Sequence, residues 1–181
     1  MTARPNSARN IQSCLVFLIT ACLSVGSATA QEPHSSKDQT DVHSVSTDMV
    51  PIMALLMNHD HIRFTIQDLP NGARTTTTSK NPEIVTAIRL HAREMQARGQ
   101  QGNNIRLKDP IFIEIFRHHN EISDKINDIP GGVSEDETSP NPQVVLLIRA
   151  HAKTVAGFVR DGLPATHQNT PLPKGYHPDA G

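Results

Sequence analysis

The chain repeats itself. Shifted by 60 residues, its centre aligns on itself without a gap, and fifteen positions from His59 to Ala92 meet an identical residue. His59, Ile62, Ile66, Asp68, Pro70 and Gly72 meet His119, Ile122, Ile126, Asp128, Pro130 and Gly132. Thr78, Ser79, Asn81, Pro82 and Val85 meet Thr138, Ser139, Asn141, Pro142 and Val145. Ile88, Arg89, His91 and Ala92 meet Ile148, Arg149, His151 and Ala152. Such a repeat constrains the fold strongly, because whatever one copy forms the other must match. Neither copy has core enough to stand alone, so the two are expected to bury their apolar faces against each other about a pseudo-two-fold axis.

Local signals place elements within each copy. Asn81 suits an N-cap and Pro82 the first helical position. Ile84, Val85, Ile88, Ala92 and Met95 follow at helical spacing, and Gly99 can end the helix. The twin helix runs from Pro142 through Val144, Val145, Ile148, Ala152 and Val155 to Gly162. An earlier helix begins near Asp48 in the first copy, with Ile52, Leu55 and Leu56 as its stripe. In the second copy Asp109 caps, Pro110 opens, and Phe112, Ile115 and Phe116 form the stripe. His59 and His119 extend these stripes by a turn.

Residues 62–79 and 122–139 read in two ways. Ile62, Phe64 and Ile66 alternate, Asn71-Gly72 and Gly131-Gly132 suit tight turns, and the Thr run favours strand, which predicts a hairpin. The spacing of Ile52, Leu55, His59, Ile62, Ile66 and Leu69 also fits one long helix. The expected fold class is α+β, two tandem helix–β-hairpin–helix repeats over 48–99 and 109–162. The alternative is an all-α, four-helix arrangement. The hairpin, "TS", "NP", "(I/V)V", "IR" and "HA" together resemble a group of uncharacterised exported bacterial proteins. The resemblance covers most of 52–98 and 112–158. It implies export and a hairpin-then-helix unit, and it carries no catalytic or binding residue with it.

The ends point the same way. Arg4 and Arg9, the apolar run "CLVFLITACLSVG" and the small pair Ala28 and Ala30 make residues 1–30 a secretory signal peptide. The run is too short to span a bilayer comfortably. "ITAC" ending at Cys22 also resembles a lipoprotein box, which would anchor the protein through a lipid. The expected location is thus periplasmic or secreted, or the membrane surface through Cys22. Both cysteines, Cys14 and Cys22, lie in this segment, so cleavage after Ala30 leaves no thiol chemistry. Residues 31–47 read as a flexible linker. Residues 163–181, with Pro164, Pro171, Pro173 and Pro178, read as an extended tail.

A net charge of −1 and the absence of Trp argue against a nucleic-acid surface. The chemistry left is that of ten histidines. Four survive the repeat: His59, His91, His119 and His151. One reading makes them a site for a transition metal (Zn, Cu or Ni) or a non-covalent haem; without C-x-x-C-H, covalent haem attachment is excluded. The other makes them core fasteners that donate from one ring nitrogen and accept at the other, in a non-catalytic envelope module. Arg89 and Arg149 either contact a cofactor anion, such as a propionate, or pair with Asp68 or Asp128. His61, His118 and Glu121 read as a solvated helix end or a polar cluster, and Met53, Met57 and Met95 as core filling. With no G-x-S-x-G, H-E-x-x-H or phosphate loop, the sequence favours a binding protein over an enzyme.

Overall fold

A computed structural model describes residues 41–178. Residues 1–30, read as a signal peptide and holding Cys14 and Cys22, and residues 31–40 of the stretch read as linker lie outside the described residues. The elements run α1 (Asp41–Met57), β1 (Ile62–Leu69), β2 (Gly72–Ser79), α2 (Pro82–Gln100), α3 (Pro110–Arg117), β3 (Ser123–Ile129), β4 (Gly132–Thr138) and α4 (Pro142–Asp161). Short 3-10 turns at His59–His61, His119–Glu121 and Leu163–His167 complete them. The class is α+β, with four helices and one four-stranded antiparallel sheet in the order β1-β2-β4-β3 among the described residues. The all-α alternative is overturned. The Thr run finds strand partners on both sides, Thr75 facing Ile66 in β1 and Glu135 in β4.

The helix signals act where they stand. The Asn81 side chain accepts from the Glu83 N–H at 2.9 Å, and Asn141 from Gln143 at 2.9 Å. Asp109 accepts from the Ile111 N–H and opens α3 ahead of Pro110. Ser79 and Ser139 each accept the following Asn N–H, at 3.1 Å, so their hydroxyls belong to the caps.

Three expectations shift. The hairpin turns are Pro70-Asn71 and Pro130-Gly131, one residue earlier than the glycine pairs suggest, because Leu69 faces Gly72 and Ile129 faces Gly132. Pro supplies the fixed φ of the second turn position, and Gly131 the positive φ, 79°, of the third. Helix α1 starts at Asp41, inside the stretch read as linker. No Gly or Pro lies between Asp41 and Val50 to stop it, and each further residue adds a hydrogen bond once a helix is nucleated. The tail read as extended opens with the 3-10 turn Leu163–His167 and is fastened to the body. Tyr176 is buried and donates to Glu114 at 2.5 Å, and the Thr170 N–H donates to Asp109 at 3.2 Å.

The strands alternate as a one-sided sheet requires. Ile62, Phe64, Ile66, Ala73, Thr75, Ile126 and Val133 face the helices, while Arg63, Thr65, Gln67, Lys125 and Asn127 face out. One core cluster centres on Ile111, Val144, Leu147 and Ile148, and a second on Ile84, Ile88, Ala92 and Val133.

Candidate functional site

Between the inner face of the sheet and the helices lies a cavity of about 740 Å³, within the range of small-molecule sites. Its wall is largely apolar, with Leu55, Ile88, Met95, Phe112, Val155 and Phe158 contributing from all four helices. Met49, Met53 and Ile105 line it and are also partly exposed, so it reaches the surface beside α1. His59, His91, His119 and His151 all line it.

The four histidines divide into two kinds. His59 Nδ1–H donates to the Val159 carbonyl at 2.9 Å, and His119 Nδ1–H to the Phe116 carbonyl at 2.9 Å. The His59 ring fills the space where a Cβ on Gly162 would stand, and the His119 ring does the same at Gly102. Both glycines have positive φ, 63° and 65°, beside the C-terminal ends of α4 and α2. These two histidines fasten the 3-10 turns to helix ends. Gly102 and Gly162 lie 60 residues apart, a further identity beyond the stretch that drew the sequence reading.

His91 and His151 sit mid-helix and behave differently. His91 Nδ1 is shielded from solvent with no hydrogen-bond partner. Burial pushes its pKa down to about 4, so the ring is neutral near pH 7. His151 meets Phe112 edge-on at 5.0 Å. Its Nδ1 stands 3.6 Å from Glu137 Oε2, beyond hydrogen-bond reach, and is likewise shielded and unpartnered.

The sheet contributes a group that the histidine-centred reading missed. Asp124 on β3 and Glu135 and Glu137 on β4 line the same cavity. Asp124 faces Glu137 across the ladder, and its side chain hydrogen-bonds Glu135. Burial, then the Glu137 charge, raises the Asp124 pKa to about 6. Burial, then Glu137 and Asp124, holds Glu135 well above the usual carboxylate range. The matching residues in the first hairpin are Phe64, Thr75 and Thr77. The acids therefore failed a filter for identity, although alternation in "VSEDET" puts Glu135 and Glu137 on the face of Val133.

Arg89 and Arg149 do not line the cavity. Arg149 donates to the Leu69 carbonyl at 2.6 Å and the Gly72 carbonyl at 3.2 Å, with Asp68 at 3.7 Å. Arg89 donates to the Ile129 carbonyl at 3.0 Å and the Gly132 carbonyl at 3.4 Å, with Asp128 at 3.7 Å. Each helix thus grips the turn of the other hairpin. Arg149→Ala is expected to cost about 2–3 kcal/mol in urea unfolding. Arg149→Lys should recover less than half, since one ammonium lacks the guanidinium fork. Unchanged stability would rule out the grip.

Among the described residues, no group of three or more His, Cys, Asp or Glu is placed to hold a metal ion. His118 accepts no such role: its Nδ1 meets Glu121 at 2.6 Å and its Nε2 the Tyr176 hydroxyl at 3.1 Å, which secures the tail. His61 is exposed near Asp60, and Met57 is exposed, whereas Met53 and Met95 line the cavity. No described helix is long and apolar enough to cross a membrane. No protein-family model matches the chain, and neither the curated proteins nor the solved structures yield a match.

Proposed function

We propose that the protein is an exported, non-catalytic binding module in which two copies of one helix–hairpin–helix unit enclose a site for a small amphiphilic molecule. The observation that carries this is the cavity of about 740 Å³ whose mostly apolar wall holds shielded, unpartnered polar atoms on His91, His151 and Asp124. Buried polar atoms left without partners are costly, and a ligand that satisfies them would offset that cost. A pseudo-two-fold axis through the Thr75–Glu135 pair is supported by the register, in which Gly72 faces Thr138 while Thr78 faces Gly132. The crossed grips of Arg89 and Arg149 support it too. Export rests on the N-terminal leader and on the hairpin-then-helix motif.

A non-covalent haem is the second reading. It is favoured by His91, whose neutral ring keeps the free nitrogen that an axial ligand needs. Titration with an environment-sensitive apolar dye tests the first reading. Val155→Trp, which fills the cavity from α4, is expected to weaken dye binding about tenfold or more, with melting little changed. Dye binding that ignores the substitution would sink the cavity reading. A Soret band on adding haemin to the wild type, lost in His91→Ala, would favour haem instead.

A further inference from the structure

The polar part of the cavity wall is unusual in its sign. Three carboxyl groups, Asp124, Glu135 and Glu137, project from one face of β3 and β4 into a space lined otherwise by apolar side chains and histidines. The sheet does not need them, since the first hairpin fills the equivalent positions with Phe64, Thr75 and Thr77. Their burial beside one another is opposed by desolvation and by mutual repulsion. Among the described residues Arg106 is the one Arg or Lys in the lining, and it is already committed. It pairs with Asp109 at 2.9 Å, donates to the carbonyls of Thr166 and Gln168 at 3.1 Å, and stacks over Phe112 and Phe158 at 5.1 and 5.0 Å. Among the described lining residues no Arg or Lys is therefore left for the acids, and the nearest counter-charge is His151, whose Nδ1 lies 3.6 Å from Glu137 Oε2 and carries charge only when protonated. His91 and His151 add shielded ring nitrogens without hydrogen-bond partners to the same lining, that of His151 beside Glu137, and Asp124 adds an Oδ1 of the same kind.

We infer that the ligand is an amphiphilic amine, its apolar body against the helices and its ammonium group on the sheet floor among Asp124, Glu135 and Glu137. This rests on the cavity reading above and gives it a chemical class. An ammonium offers three donors and no acceptor, which matches carboxylate oxygens and neutral ring nitrogens. An anionic head group would meet repulsion from the same floor, and an alcohol would leave most of the acceptors unmatched. The raised pKa values of Asp124 and Glu135 carry a consequence: a bound cation favours their ionised forms, so amine binding expels protons into solution.

The test titrates the whole protein with n-octylamine, n-octanol and octanoate near neutral pH, by calorimetry in two buffers of different ionisation enthalpy. Octylamine is expected to bind about tenfold or more tighter than octanol, with net proton release that the alcohol lacks. In Glu135→Gln with Glu137→Gln the amine preference should vanish while octanol binding persists. Octanol or octanoate binding as tightly as the amine, or a preference that survives the double substitution, would overturn the amine assignment and leave the cavity reading standing. Failure of all three probes to bind would remove both. The wild-type comparison alone is decisive if the double variant does not fold.

Discussion

Replacing Gly72 with alanine is expected to cost about 3 kcal/mol or more in urea unfolding, far beyond an ordinary glycine substitution. The reason is a close approach at the central seam of the sheet. A Cβ on Gly72 would run into the Glu137 carbonyl oxygen, and it would also stand 2.9 Å from the Glu137 carbonyl carbon and the Thr138 Cα. All three are backbone atoms of β4, so no rotamer change relieves the clash. Only separating β2 from β4 does, and that seam runs from the Gly72–Thr138 pair to the Thr78–Gly132 pair. Gly132 stands in the same relation to the Thr77 carbonyl and should respond alike. Gly99 is the control. A Cβ there meets nothing within 4 Å, and Gly99→Ala in α2 should stabilise by about 0.5–1 kcal/mol through reduced chain entropy. If Gly72→Ala unfolds as mildly as Gly99→Ala, the seam is not sterically closed.

That contrast shows which features the sequence makes readable. Caps at Asn81, Asn141 and Asp109 act within three residues, so spacing alone reveals them. Alternation in "IRFTIQ" and the partner-hungry Thr run point to a hairpin for the same local reason. The role of Gly72 is different, because it is set by a strand 65 residues away, at Glu137. A turn rule assigns it to the bend instead. The repeat singled out four histidines that line the cavity and could not tell their surroundings apart. His59 and His119 also stand against Gly162 and Gly102, while His91 and His151 sit mid-helix with a shielded Nδ1 that has no hydrogen-bond partner. Only the packing of helix ends on 3-10 turns separates the two pairs. The acids lay beyond an identity filter for a physical reason as well. A two-copy scaffold can keep its shared framework and differ where only one copy faces the polar part of the cavity.

Those acids should also dominate how stability changes with pH. Asp124 keeps its proton in the fold up to about pH 6, whereas its ordinary value is 3.8. Between these values the folded state binds more protons, so stability falls as pH rises. Glu135, held well above its ordinary value of 4.5, extends the fall to higher pH. His91 opposes them. Its folded value of about 4 lies below the ordinary 6.5, so in that window the unfolded state binds more protons and stability rises with pH, by at most about 1.4 kcal/mol per pH unit. Two carboxyls against one imidazole leave a net fall, with the Asp124 share reduced by its partial contact with solvent. Asp124→Asn with Glu135→Gln removes the falling contributions and leaves the rise from His91. Urea unfolding between about pH 4.5 and 6.5 should therefore show wild-type stability decreasing and the double variant's increasing. His91→Gln should steepen the wild-type fall. Parallel profiles for wild type and double variant would mean that Asp124 and Glu135 titrate alike in the folded and unfolded chain. The floor would then lack the electrostatic strain on which selection of a cationic ligand depends.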